Sequence, residues 1–137
     1  MALVQETFEI HAPPEQVFDL INDIEATSGY SELIQGIETI GEETYRYRIS
    51  VAGIPLSWDA KVTERIRPDR ICWESIRGIT LKGCFQLAPA ESGSTVSFRM
   101  EYHIHNRILA LLLQPFLTPL FREVATEVMA RLETRLS

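Results

Sequence analysis

The 137-residue sequence holds only two cysteines, Cys72 and Cys84, too few for a disulfide framework. Reduced thiols, and with them a cytoplasmic location, are the expectation. Positive charge is also scarce. Thirteen Lys and Arg against 19 Asp and Glu leave a net charge of −6, which argues against nucleic acid or an anionic membrane as the main partner. Long apolar runs are missing. The nearest to one, residues 108–113, is ended by Gln114-Pro115, and a spanning helix needs about 20 apolar residues. No stable membrane insertion is therefore expected. The opening residues, Met1-Ala2-Leu3-Val4-Gln5-Glu6, show neither a basic segment nor an apolar one, so no secretory leader is expected. There is no glycine-rich phosphate loop, no HExxH run and no Ser/His/Asp order. With no repeat, linker or low-complexity tract, one domain over residues 1–137 is expected, with no cofactor and no metal.

What is present is an informative order of segments. Val4, Phe8 and Ile10 alternate with polar residues, so 3–11 reads as a strand. Pro13-Pro14-Glu15 then opens a helix whose apolar face is Val17, Phe18, Leu20, Ile21 and Ile24. Thr27-Ser28-Gly29 breaks it, and residues 31–34 add a further helical turn. Six strands follow at about 35–41, 44–52, 56–66, 70–77, 80–88 and 94–104, with turns at 41–43, 53–55, 67–69, 78–79 and 91–94. Last, Leu117, Leu120, Phe121, Val124, Val128 and Leu132 recur at helical spacing, predicting a helix over 116–136, with Pro115 and Pro119 at its start or at a kink.

Strand parity sorts the side chains by face. Three rows are expected across one face: Ile49, Trp58, Ser75, Leu81, Tyr102; then Tyr47, Ala60, Trp73, Gly83, Met100; then Tyr45, Val62, Ile71, Phe85, Phe98. Ala60 and Gly83 leave room for Trp73 in the middle row, which is read as the deeper one. The other face carries Arg46, Arg48, Asp59, Lys61, Glu74, Lys82, Arg99 and Glu101 and reads as wet. A one-sided sheet needs a cover, and the last helix supplies it. The fold expected is α+β: a seven-stranded curved antiparallel sheet around a long C-terminal helix, with short helices after the first strand. A single helix cannot fill the concave face to native density, so a cavity is expected beneath it.

Several stretches carry a family resemblance. They are residues 10–18 (Ile-His-Ala-Pro-Pro-Glu-Gln-Val-Phe) with Asn22-Asp23-Ile24-Glu25, then Trp58-Asp59-Ala60-Lys61-Val62-Thr63-Glu64 and Arg70-Ile71-Cys72-Trp73-Glu74-Ser75. Gly83-Cys84-Phe85-Gln86-Leu87 and Gly93-Ser94-Thr95-Val96 complete the set. The chain resembles the polyketide cyclase/dehydrase and lipid-transport group of the START-like, Bet v 1-like (helix-grip, SRPBCC) superfamily over nearly its whole length. The resemblance implies binding of a hydrophobic small molecule, a lipid, quinone or polyketide, and in some members aromatase or cyclase activity. Residues 26–34 lack the Tyr-x-x-Phe-x-Pro run of the coenzyme Q-binding branch.

Candidate chemistry is sparse. Tyr45, Tyr47, Trp58, Trp73, Phe85, Phe98, Met100, Leu117, Phe121 and Val124 are expected to line the cavity. Ser75 and Tyr102 would orient a polar group of the ligand or bond one another. His103 and His105 can be read as a metal-chelating pair or as polar residues where the last strand leaves the sheet; the second reading is taken. Cys72 and Cys84 face each other, as a redox pair or, as preferred here, as two reduced surface thiols. Glu6 shares parity with Phe8, so it points inward as a potential base or is turned to solvent by a bend, the preferred reading. The loops at 53–55 and 77–80 and the exit at 103–107 share one end, where the cavity mouth is expected. The apolar run at 108–113 beside it reads as a gate, a membrane contact or a homodimer contact, or as simple packing. Without a positioned acid and base, a binding protein is preferred to a cyclase/aromatase.

Overall fold

The computed structural model describes residues 2–136. The alternating runs form seven strands: β1 (Ala2–Ile10), β2 (Ile34–Gly41), β3 (Thr44–Val51), β4 (Ile54–Ile66), β5 (Arg70–Gly78), β6 (Thr80–Ala90) and β7 (Gly93–His103). Helix α1 (Pro14–Asn22) follows β1, and helix α2 (Arg107–Leu136) follows β7. The strands make one antiparallel sheet in the order β1-β7-β6-β5-β4-β3-β2. Hairpins join β2 to β7 in sequence, while the α1 segment carries the chain from one edge to the other. The architecture is the expected one, a curved antiparallel sheet around a long C-terminal helix.

Helix α2 begins nine residues earlier than the apolar stripe predicted. Asn106 caps it: its Oδ1 accepts from the N–H of Ile108 at 3.0 Å and of Leu109 at 3.1 Å. Pro115 and Pro119 lie inside the helix on its exposed side. The carbonyls of Leu111 and Pro115, which lose their usual i+4 partners there, can turn to water. Because the prolines do not end the helix, α2 is long and apolar enough, with a window of mean hydropathy 1.4, to cross a membrane by length and composition. That corrects the expectation that no segment would reach such a length. Leu113, Leu117, Phe121, Ala125, Val128, Met129 and Leu132 are buried against the sheet, so α2 serves here as a core helix.

A second correction concerns the α1–β2 link. The helical turn is a 3-10 segment at Glu25–Tyr30, not at 31–34, where β2 begins. Thr27 and Ser28 stabilise it by donating to the carbonyls of Ile24 (2.6 Å) and Glu25 (2.9 Å).

The rows across β5, β6 and β7 match the parity reading: Trp73 pairs Gly83, which pairs Met100, and Ile71 pairs Phe85, which pairs Phe98. Strand β4 is displaced by two residues against β3, so Tyr47 pairs Trp58 instead of Ala60. The turn explains the slip. Ala52 and Gly53 both have positive φ (52° and 81°), a two-residue turn whose twist suits a hairpin and pairs Val51 with Ile54. A two-residue slip keeps every side chain on its face. Irregularities at Asp59/Ala60 and Val62/Glu64 adjust β4 against β5.

The outer face is not uniformly wet. Asp59 is only 4% exposed. Arg46 donates to it from Nε (2.9 Å) and Nη2 (3.2 Å), and Arg77 from Nε (2.9 Å). These hydrogen bonds, Arg46 first, hold the Asp59 carboxyl at about 2. Its folded pKa lies below the unfolded value of about 4. The stability it contributes is therefore present above pH ~4 and is lost as pH falls through about 2. Denaturant midpoints measured down to pH 2 should fall less steeply in Asp59→Asn than in the parent.

The cysteines also correct the sequence reading. Cys72 pairs directly with Cys84 across β5 and β6, and their sulfurs are joined as a disulfide. Cys72 is 7% exposed, so it is not a surface thiol either. The bond spans 12 residues, and closing so short a loop is worth up to about 3 kcal/mol in the chain-entropy model. Thiol titration of unfolded, unreduced protein should find no free thiol. Reduction should lower the urea midpoint without unfolding the chain at 25 °C.

Candidate functional site

The core is packed as two clusters. One gathers Val4, Val51, Trp58, Leu81, Tyr102, Leu113 and Leu117 at the end that holds the β3–β4 and β5–β6 hairpins. The other gathers Ile10, Val17, Phe18, Leu87, Val96, Met129 and Leu132 around α1 at the opposite end. Between them lies a cavity of about 130 Å³, walled by β3–β7, α2, α1, the 3-10 segment and β2. A straight helix meets a curved sheet at both ends of their contact, and the middle is left under-filled.

Of the residues expected to line this space, Tyr45, Tyr47, Trp58, Trp73, Phe85, Phe98, Met100, Phe121 and Val124 do so. Three do not. Leu117 is fully buried in the first cluster. Ser75 accepts a hydrogen bond from the Leu81 N–H at 2.8 Å, substituting for a sheet rung beyond the Glu74–Lys82 pair. The Tyr102 hydroxyl is 2.5 Å from Thr118 Oγ1. Both polar tips are thus engaged within the fold, and not with one another. Sequence reasoning missed Ile21, Ile24, Thr27, Ile34 and Ile37, which complete the wall from the α1–β2 side. The apolar stripe of α1 was visible, but short segments carry no parity to show what they face.

The mouth is also not where alternation of hairpins placed it. No residue of 53–55, 77–80 or 103–107 lines the cavity. That end is closed by Leu81, Tyr102, Leu113 and Leu117, each at most 1% exposed. A gate formed by residues 106–114 would not guard this cavity, since no residue of that segment lines it.

Two aromatic groups define the interior. Tyr47 stacks on Trp58 at 5.3 Å, and Trp58 meets Phe121 edge-on at 6.0 Å. Trp73, Phe85 and Phe98 form the second group, with centroids 5.1 to 6.2 Å apart. Gly83 lets Trp73 lie flat on the sheet, since a Cβ there would come within 2.8 Å of the Trp73 ring. The order of depth reverses the expectation: Trp58 is 6% exposed, whereas Trp73 is only half-buried. Trp58 is held between Tyr47 and Phe121, and Trp73 lies over Gly83.

No charged side chain lines the cavity. Of the lining residues, Thr27, whose hydroxyl is engaged with the Ile24 carbonyl, and Tyr45, Tyr47, Trp58 and Trp73 carry polar side-chain atoms. Among the described residues the latter four make no hydrogen bond, and none is sealed from accessible space. Burial pushes the Tyr47 hydroxyl well above its ordinary range, so it stays protonated and can donate. The arrangement can enclose an apolar body and bond one or two polar atoms on it. It offers no acid/base pair.

The other candidates fall outside this space. Glu6 is ion-paired with Arg122 of α2 at 2.5 Å instead of facing the cavity. His105 Nε2 lies 2.7 Å from Thr80 Oγ1, and its ring meets that of His103 edge-on at 4.6 Å. Among the described residues no group of three His, Cys, Asp or Glu is placed to hold a metal ion.

Comparison with known proteins agrees with this geometry. The family described as polyketide cyclase / dehydrase and lipid transport matches residues 10–132. An uncharacterized 17.2 kDa protein in the melC2-rnhH intergenic region of Streptomyces lincolnensis is 23% identical over 112 residues, 80% of this chain and 66% of that protein. The chain thus spans just under two thirds of that relative. The crystal structure of TTHA0849 from Thermus thermophilus superposes with a TM-score of 0.84 at 23% identity, covering 98% of this chain and 96% of that one. The Zhui aromatase/cyclase from Streptomyces sp. R1128 superposes with a TM-score of 0.77 at 12% identity, covering 99% and 96%. The likeness in structure shows a shared fold, and the family match over 10–132 goes further: this chain belongs to the polyketide cyclase/dehydrase and lipid transport family.

Proposed function

We propose that this protein is a non-catalytic carrier or sensor that binds a hydrophobic, partly aromatic small molecule in the cavity between the sheet and α2. The observation that carries the reading is the composition of the walls. They are aromatic and aliphatic, uncharged, and supplied with unpartnered hydroxyl and indole donors at Tyr45, Tyr47, Trp58 and Trp73. Such a lining binds by apolar burial and orients by hydrogen bonding. A cyclase acting on a polyketide chain, the activity suggested by part of the family, needs a group that exchanges protons near neutral pH. The Tyr47 hydroxyl, raised by burial, is a poor candidate for that work.

Volume narrows the ligand. A cavity of about 130 Å³ is close to the ~150 Å³ apolar cavity that accepts benzene and below the ~300–1,000 Å³ of drug-sized sites. A single substituted ring or the end of a chain fits the conformation described. A larger lipid or polyketide requires the 3-10 segment or α2 to shift.

Tryptophan fluorescence tests the proposal, because both tryptophans line the cavity. Single-ring aromatics, quinones, fatty acids and aromatic polyketides are titrated in turn. At least one class should quench or shift the emission saturably, and Trp58→Phe, which removes the more enclosed reporter, should take away the larger part of the response. Silence from all four classes would return the aromatics to a purely structural role.

A further inference from the structure

The first four turns of α2 carry two apolar stripes. One, with Leu113 and Leu117, is buried in the core. The other faces outward: Ile108 is 71% exposed, Leu111 80%, Leu112 55% and Phe116 53%. Their spacing of three, four and eight residues puts them on one continuous helix face. Ile76, 62% exposed, stands at the same end of the sheet, next to the β5–β6 hairpin. Contiguous exposed apolar residues on this scale mark a contact surface.

The charges around the patch select its partner. The molecule as a whole carries −6, but the acidic residues lie elsewhere. Residues 102–122 contain no Asp or Glu and include Arg107 and Arg122, the latter paired with Glu6. The β3–β4 connection at this end, residues 50–58, is uncharged. Arg77 and Lys82 of the β5–β6 connection lie on the outer sheet face, paired with Asp59 and Glu101. Beside the apolar stripe stands Arg107, exposed and in no ion pair among the described residues. The stripe is therefore flanked by positive charge along a stretch free of carboxylates. A second copy docking through the same stretch brings no opposite charge to it, whereas an anionic surface does.

We propose that this end of the molecule docks reversibly on an anionic lipid bilayer. Ile108, Leu111, Leu112 and Phe116 enter the headgroup–acyl boundary, and Arg107 reaches the lipid phosphates. The helix meets the bilayer with its first turns only. From Arg122 onward its outer face is polar, with Glu123, Thr126 and Arg131 exposed, so α2 docks and does not span. The net charge of −6 fails as a guide because surface potentials act within about a Debye length and are set by the end that approaches. This surface is separate from the cavity and does not depend on what the cavity holds.

Flotation of the full chain with vesicles decides the question. Phosphatidylglycerol–phosphatidylcholine vesicles should carry the protein at low salt, pure phosphatidylcholine should carry much less, and added salt should release it. Arg107→Glu should lower partitioning by more than about fivefold, the effect of one cation near an anionic surface. Leu111→Ser combined with Leu112→Ser should abolish binding, with the melting curve unchanged because both side chains are solvated. Equal binding to both vesicle types, or to neither, overturns the proposal. So does a lipid-free dimer in analytical ultracentrifugation that the double serine variant splits, since the face would then belong to a second copy.

Discussion

Replacing Leu132 by alanine should destabilise the fold by about 2–5 kcal/mol. Leu132 is 0% exposed and belongs to the cluster that closes the α1 end of the molecule, with Ile10, Val17, Phe18, Ile21 and Met129. Truncation removes apolar atoms from that cluster and leaves a void that rigid neighbours cannot collapse around. The elements meeting there are held by their own hydrogen-bond ladders, so little relaxation is available. A domain with a total stability of about 5–15 kcal/mol would lose a large share of it. Leu111→Ala on the same helix supplies the control: its side chain is 80% exposed, and the change should stay within about 0.5 kcal/mol. Urea unfolding of both variants checks the contrast. A loss below about 1 kcal/mol at Leu132, outside the usual range for a buried leucine, would mean that the last turns of α2 are not anchored in the core.

Strands were legible because their period is two, and one buried face repeats the signal at every second residue. The six strand runs after the first begin within two residues of where alternation placed them. Register was less legible. Parity is preserved by a two-residue slip, so nothing in the side-chain pattern separates Tyr47 opposite Ala60 from Tyr47 opposite Trp58. The turn decides, and its central residue Ala52 is not one that advertises a positive φ. Helix α2 was read short for a related reason. Proline marks a helix boundary in most settings, whereas Pro115 and Pro119 sit where water can take over the lost hydrogen bonds. The Asn106 cap was the available signal for the true start.

The cavity was half legible. The part built on the sheet and α2 follows from parity and helical spacing, which is why nine of the twelve residues expected there line it. The part built by Ile21, Ile24, Thr27, Ile34 and Ile37 depends on how the α1 segment crosses from one sheet edge to the other, a tertiary fact with no local periodicity. Polar satisfaction was equally hidden. Ser75 and Tyr102 looked free because their partners, the Leu81 N–H and Thr118, come from other elements. Cys72 and Cys84 were correctly set opposite each other, but position does not state oxidation state.

Filling the cavity should abolish ligand binding without harming the fold. Val124 is on α2, lines the cavity and is only half-buried, so an indole in its place can enter the space between the two aromatic groups. Val124→Trp should weaken the best-binding titrant of the fluorescence panel by at least about tenfold, equivalent to ~1.4 kcal/mol. Melting temperature should hold or rise, because ring atoms placed in an apolar void gain dispersion contacts that the parent lacks. The opposite pairing, lower stability with binding intact, would mean that the indole turns outward. Ala125→Leu guards against that outcome: Ala125 is 4% exposed and lines the same space from the inner side of the helix, so its added atoms have no route to solvent. Overpacking at either site typically costs about 1–3 kcal/mol for a misfit side chain, which a melting curve separates from loss of binding. If both variants fold and both bind the titrant as the parent does, the ligand sits elsewhere and the cavity is only a packing defect of a helix laid on a curved sheet.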